Sequence, residues 1–250
     1  MSLREAETGP PQPPIRENAA RREPLGIAGI DALLEGGLPE GNTLLVQGAP
    51  GTGKTILALQ FLYEGAAQMG LPGLLLTFEE QPRRLYRDAR ALGWDFERLE
   101  HEQCLFVVYT SPAVFLREIE AGRYSEMVKQ HGLRRVVVDS LTLFETLPQL
   151  LPEDATRVRF ERIVNGLRRD DLTVLLTREL RTRDTPTAVT PEEYVADTII
   201  QLEYRPVNER RVRQLEILKH RGSSHSPNRH PFVIGAGGLQ IVPIPDGDAL

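Results

Sequence analysis

Gly48-Ala49-Pro50-Gly51-Thr52-Gly53-Lys54-Thr55 decides how this chain is read. It fits the pattern G-x-x-x-x-G-K-[ST] in full. The apolar stretch Thr43–Gln47 precedes it, and an apolar helical stretch runs from Lys54 to about Met69. A strand, a glycine turn and a helix in that order aim backbone N–H groups and the positive end of a helix at one point, where phosphate binds. Lys54 would reach the outer phosphates and the Thr55 hydroxyl would complete a magnesium shell. Gly48, Gly51, Thr52, Gly53, Lys54, Thr55 and the next residue, Ile56, are the expected nucleotide contacts.

Outward from this turn, short apolar strands alternate with helices. Strands are expected at Thr43–Gln47, Gly73–Phe78, Leu105–Tyr109, Arg135–Asp139 and Thr173–Thr177. Leu74-Leu75-Leu76 and Val136-Val137-Val138 lack alternation, as parallel strands buried on both faces do. Phe160, Ile163, Val164 and Leu167 recur at i, i+3, i+4 and i+7, one face of a helix. After Asp197 come Thr198–Tyr204, Arg213–Lys219, Phe232–Ile234 and Leu239–Ile244, short strands that predict an antiparallel extension. The expected fold class is α/β, a mostly parallel central sheet flanked by helices with antiparallel C-terminal strands.

Two acidic features fall on the same rim as the phosphate turn, because parallel strands align their C-terminal ends. Asp139 closes the Arg135–Asp139 strand, in the position of a second magnesium-organising carboxylate. Glu79-Glu80 closes the next strand after the phosphate turn, where a carboxylate can orient a water and accept its proton. Adjacent strand residues point to opposite faces, so Glu79 and Glu80 are not both expected to contact the same water. Thr55, Asp139 and Glu79 are the expected magnesium neighbours.

Composition agrees with one globular unit. The chain has 250 residues, 40% of them apolar, a single cysteine and a net charge of −5. One thiol makes neither an internal disulfide nor a zinc cage. No apolar run approaches the roughly 18 residues of a membrane span. Residues 1–22 lack the apolar core of a secretory signal, so a reducing cytoplasm is the expected compartment. The proline-rich residues 1–23 are expected to be a disordered arm, residues 24–245 one domain, and 246–250 a tail. The acidic balance disfavours a dedicated nucleic-acid binder.

These residues resemble the KaiC-like branch of the RecA-type ATPases, from about Gly26 to Ile244. The resemblance rests on Gly26-Ile27-Ala28-Gly29-Ile30-Asp31, Gly36-Gly37-Leu38-Pro39, the phosphate turn, Thr77-Phe78-Glu79-Glu80, Leu92-Gly93-Trp94-Asp95 and Val138-Asp139-Ser140. It rests most on Glu216-Ile217-Leu218-Lys219-His220-Arg221-Gly222-Ser223-Ser224-His225. The resemblance implies a RecA-like P-loop core, ATP and magnesium as ligands, and assembly into a homo-oligomeric ring, commonly a hexamer, with ATP between neighbours. It implies that Glu79, with Glu80 beside it, activates water. It also implies that Lys219 and Arg221 reach the phosphate bound by the adjacent subunit, with Ser223 and His225 as further nucleotide contacts. A local balance of +4 over residues 201–230, from seven Lys and Arg against three Glu, leaves −9 elsewhere and suits head-to-tail contacts.

Two departures restrict the family reading. The chain has one P-loop, whereas clock-type members join two such domains. Where the phosphorylating domain of those members has a Ser-Thr pair, this chain has Glu193-Tyr194, so autophosphorylation is not expected. His220, His225 and His230 recur every five residues, which suits neither helix nor strand, and no metal site is expected there. Arg178, Arg181 and Arg183 lead into the polar residues 184–187 without the aromatics a single-strand path uses. The leading expectation is an ATPase whose turnover switches ring conformation or the binding of a regulatory partner. The alternatives are a nucleotide-gated scaffold with negligible turnover and a DNA-dependent ATPase.

Overall fold

The computed structural model describes residues 21–145, 158, 161, 163–167, 172–180, 191–207 and 210–243. Its strands are β1 (Arg22–Glu23), β2 (Leu38–Pro39), β3 (Thr43–Gly48), β4 (Gly73–Thr77), β5 (Leu105–Tyr109), β6 (Arg135–Asp139), β7 (Thr173–Glu179), β8 (Thr198–Val207), β9 (Arg210–His220), β10 (Arg229–Gly235) and β11 (Gly238–Ile241). Helices used below are α1 (Ile30–Leu33), α2 (Lys54–Tyr63), α3 (Pro82–Ala91), α4 (Phe96–His101) and the short helix Pro191–Val195. Phe160, Arg181, Arg183, Ile244 and residues 1–20, 184–187 and 246–250 lie outside the described residues.

Nine strands form one sheet in the order β11-β10-β9-β8-β3-β7-β6-β4-β5. From β8 through β5 every pairing is parallel, and β8–β9, β9–β10 and β10–β11 are antiparallel. Strand β8 was expected to belong to the antiparallel part. It is instead the hinge of the sheet, parallel to β3 on one edge and antiparallel to β9 on the other. Each face of the sheet has its own core. Leu44 and Val46 pack on one side with Leu57, Phe61 and Trp94, and Leu45 on the other with Leu74, Val138 and Ile163. The unbroken apolar runs of the central strands follow from that double burial. Ile163, Val164 and Leu167 are buried as the helical spacing requires.

The glycine- and tryptophan-bearing stretches prove to be architectural. Asp31 at the start of α1 accepts the Leu25 and Gly26 N–H groups at 2.6 and 3.0 Å. Trp94 is buried and stacks on Tyr63, and Asp95 caps α4 through the Arg98 N–H at 3.0 Å. No helix among the described residues is long and apolar enough to cross a membrane.

Arg22 and Glu23, assigned above to the arm, form β1 against β2. The reason is Arg135, whose side chain is fully buried at the start of β6 and needs a counter-charge. Glu23 supplies it at 2.7 Å, and the guanidinium also donates to the carbonyls of Leu25, Phe61 and Pro24. The Phe61 carbonyl is taken at 2.6 Å just before α2 widens into the π-helical turn Glu64–Gln68. Removing one member of a buried pair leaves the other uncompensated, so Arg135→Met should cost about 3–5 kcal/mol in urea denaturation. A loss below about 1 kcal/mol would show that the cluster contributes little to stability.

Candidate active site

Strand register brings the expected rim together. Gly48 lies opposite Glu179 and Thr77 opposite Asp139, so the C-terminal ends of β3, β7, β6 and β4 open on one crevice. Gly48 admits no side chain, since a Cβ there would lie 2.1 Å from the Leu202 carbonyl oxygen. Gly53 enters α2 at a φ of +115°, with Ile234 Cδ1 only 2.7 Å from where a Cβ would be. Glycine alone combines that conformation with so close an approach.

Inside this turn the Lys54 ammonium donates to the carbonyls of Gly48 and Ala49, each at 3.0 Å. Burial pushes its pKa down, opposed by the carboxylates of Glu179, Asp139 and Glu79. One residue on, the Thr55 hydroxyl donates to Asp139 Oδ2 at 3.0 Å. Thr177 donates to Asp139 Oδ1. Burial holds the Asp139 carboxyl above its ordinary range, opposed in part by the two hydroxyls and Lys54. The Asp139–Ser140 peptide is cis, and the Ser140 hydroxyl donates to Glu79 Oε1 at 3.1 Å. Glu79 is thus drawn towards Lys54 and Asp139. Glu80 is tied through its backbone, its carbonyl and amide meeting Thr77 Oγ1 at 3.1 and 3.4 Å. Ile56 follows Thr55 in the first turn of α2 and packs at the edge of the core.

This donor set suits a magnesium–nucleotide pair. The Lys54 ammonium lies within the loop and the Thr55–Asp139 hydroxyl–carboxylate couple stands beside it, the groups that phosphate and its metal ion need. Lys54 and Thr55 could hold the phosphates and the ion, with Asp139 ordering the ion's shell.

The C-terminal residues stand elsewhere. The Arg221 N–H donates to the Asp197 carbonyl and the Asp197 N–H to the Thr43 carbonyl, both at 2.9 Å. Arg221 is therefore level with the beginning of β3, about 16 Å along the strand from Gly48 and two strands to the side. Lys219 Nζ donates to the carbonyls of Glu193 and Ala196 at 2.8 and 2.6 Å. Arg221 donates to the Tyr194 carbonyl at 3.1 Å and pairs with Asp197 at 3.4 Å. Both cations are gathered at the end of the helix Pro191–Val195, on one side as their spacing predicts. Ser223 accepts from Arg22 and donates to Glu35 at 2.9 Å. The His225 ring meets that of His220 edge-on, with centroids 6.4 Å apart, and His230 bonds Ser226 at 2.7 Å. One chain does not bring Lys219, Arg221, Ser223 or His225 to its own phosphate turn.

Two residues at the rim, Thr177 and Glu179, were missed in the sequence, and Ser140 entered it only as part of the motif Val138-Asp139-Ser140, with no role. Thr177 and Glu179 became visible only with the register of β7, which runs two residues past the apolar stretch that marked it. Thr177-Arg178-Glu179, polar residues ending a strand on the phosphate rim, was the available signal.

A family model described as the KaiC ATPase matches residues 24–246. The chain is 36% identical over 227 residues to the circadian clock oscillator protein KaiC of Synechococcus elongatus, covering 87% of this chain and 43% of that protein. It is 34% identical over 232 residues to the KaiC of Parathermosynechococcus lividus, with 89% and 42% covered. The chain therefore spans less than half the length of these curated relatives. A crystal structure of a KaiC-like protein from the archaeon Pyrococcus horikoshii superposes with a TM-score of 0.79 at 35% identity, over 90% of this chain and 100% of that one.

Proposed function

The chain belongs to the KaiC family of ATPases, with its RecA-type fold, and on that basis we propose that it is a magnesium-dependent ATPase whose sites are completed between subunits of a homo-oligomeric ring. The single cysteine suits a reducing cytoplasm. The observation that carries the proposal is the convergence of Lys54, Thr55, Asp139 and Glu79 on one rim of the sheet.

Thr55 and Asp139 would hold a magnesium ion, which would supply charge neutralisation for phosphoryl transfer. Lys54 exchanges its two carbonyl partners for phosphate oxygens, its charge sustained by the three surrounding carboxylates. Glu79, oriented by the Ser140 hydroxyl, accepts the proton of the attacking water. Glu79→Gln keeps the size of the side chain and its bond to Ser140 but removes the base. ATP should still bind, and turnover measured by phosphate release should fall about 10²-fold or more. Undiminished turnover, with Glu80→Gln as the damaging change, would move the base to Glu80.

The second element of the proposal is the source of the transition-state cations. Lys219 and Arg221 lie too far from their own phosphate turn to serve it, yet they form a matched pair on one side of the chain. Head-to-tail packing presents such a pair to the next subunit, where Ser223 and His225 become nucleotide contacts. The carbonyls at the end of the helix Pro191–Val195 hold the two cations in the isolated chain. Closing and opening of these interfaces with turnover is the switch by which the ring would engage a regulatory partner.

A further inference from the structure

Strand β8 pairs with β3 only as far as Leu202, opposite Gly48. Beyond it the β8–β9 hairpin runs past the rim, with Tyr204 opposite Arg213. From this overhang the Tyr204 hydroxyl donates to the Gly51 carbonyl at 2.9 Å. The Arg213 guanidinium lies over the Tyr204 ring, 5.1 Å from its centroid, a cation–π contact that steadies the ring. No motif marks Tyr204, and the mechanism above does not use it.

The Gly51 carbonyl and the Thr52 N–H are opposite ends of one planar trans peptide, so they point in opposite directions. Holding the carbonyl on the hairpin turns the Thr52 N–H into the loop. There it meets the Ala49 carbonyl at 3.4 Å, the same oxygen that accepts Lys54 Nζ at 3.0 Å and Thr52 Oγ1 at 2.8 Å. A contact of 3.4 Å is long for an N–H donor. The group is aimed but weakly engaged, and an anionic phosphate oxygen is a stronger acceptor. Nothing in the loop itself fixes this plane. Gly51 has a φ of +75° with open space around it, and glycine tolerates either sign of φ.

We propose that Tyr204 is a positioning residue of the phosphate loop: its hydroxyl locks the Gly51–Thr52 peptide so that the Thr52 N–H faces the phosphates before nucleotide arrives. The overhanging β8–β9 pair thereby pre-organises a site whose chemistry lies at the ends of β3, β4, β6 and β7. This rests on the reading of residues 48–55 as a nucleotide site.

The test is Tyr204→Phe in the full chain, which keeps the ring and its contact with Arg213. The probe is magnesium-ATP with a fluorescent analogue as reporter. Loss of one pre-organising hydrogen bond should raise Kd and KM roughly 3–10-fold. Turnover at saturating ATP and the nucleotide-free Tm should stay at the parent's values, the pattern of lost uniform binding. Affinity equal to the parent's overturns the proposal and leaves the P-loop reading intact. A lower nucleotide-free Tm, or a lower kcat, with unchanged affinity assigns the hydroxyl to folding or to chemistry and also overturns it. A parent chain that does not bind magnesium-ATP overturns the P-loop reading itself, and this proposal with it.

Discussion

Lys54→Ala should abolish measurable binding of magnesium-ATP. The ammonium stands between two loop carbonyls at 3.0 Å and is held charged against burial by Glu179, Asp139 and Glu79. Nucleotide phosphates bring several negative charges to the same spot. With Lys54 in place those charges meet a cation freed from its carbonyls; without it they meet three carboxylates. Leaving buried charge uncompensated costs about 3–5 kcal/mol, so affinity should fall on the order of 10²–10⁴-fold. These 250 residues contain one P-loop. Titration with a fluorescent nucleotide giving the same affinity for variant and parent would remove the assignment of residues 48–55.

Arg221→Ala should leave ATP binding largely in place and reduce turnover about 10³–10⁵-fold, the range of an arginine finger. The argument runs from position. Arg221 is level with Thr43, at the opposite end of β3 from Gly48, so under the proposed ring any effect it has on chemistry would fall on a neighbour's site. In the isolated chain its partners are a carbonyl and the Asp197 carboxylate. The Arg221 side chain is 53% exposed, while Asp197 is 18% exposed and also accepts the Thr43 N–H. A loss of less than tenfold would leave Arg221 a surface cation at the end of a short helix.

How much of this was legible in the sequence depends on whether local or non-local geometry sets the feature. The strand–turn–helix of residues 43–63 is local, and its glycines, lysine and threonine could be read directly. Asp139 was legible because a buried strand ending in a carboxylate is a local pattern. Strand alternation separates Glu79 from Glu80 without choosing between them; the choice of Glu79 follows the family resemblance, and Ser140 contacts Glu79. Glu179 and Thr177 were hidden because they depend on β7 lying between β3 and β6, a pairing across more than a hundred residues. The role of Arg22 and Glu23 was hidden for a similar reason. A proline-rich composition marks the segment as an arm, and only the burial of Arg135 shows why its last two residues fold in. The hold of Tyr204 on Gly51 spans 153 positions, beyond any periodicity. The tilt of β8 from antiparallel to parallel was likewise a matter of which neighbour its other edge meets.

Mixing Arg221→Ala with Glu79→Gln tests the shared site most directly. Each homogeneous variant should be nearly inactive, because every interface lacks either the finger or the base. In an equal mixture that exchanges subunits, some interfaces join an intact P-loop and Glu79 from one protein to an intact Arg221 from the other. Only that orientation works in a head-to-tail ring, so about a quarter of random interfaces should recover activity. Against single-variant losses of about 10²-fold or more, that recovery stands well above background. Restored turnover near a quarter of the parent's is the result expected here. A mixture as inactive as its components, with subunit exchange shown by energy transfer between labelled chains, would contradict the shared site and confine Arg221 to its own subunit.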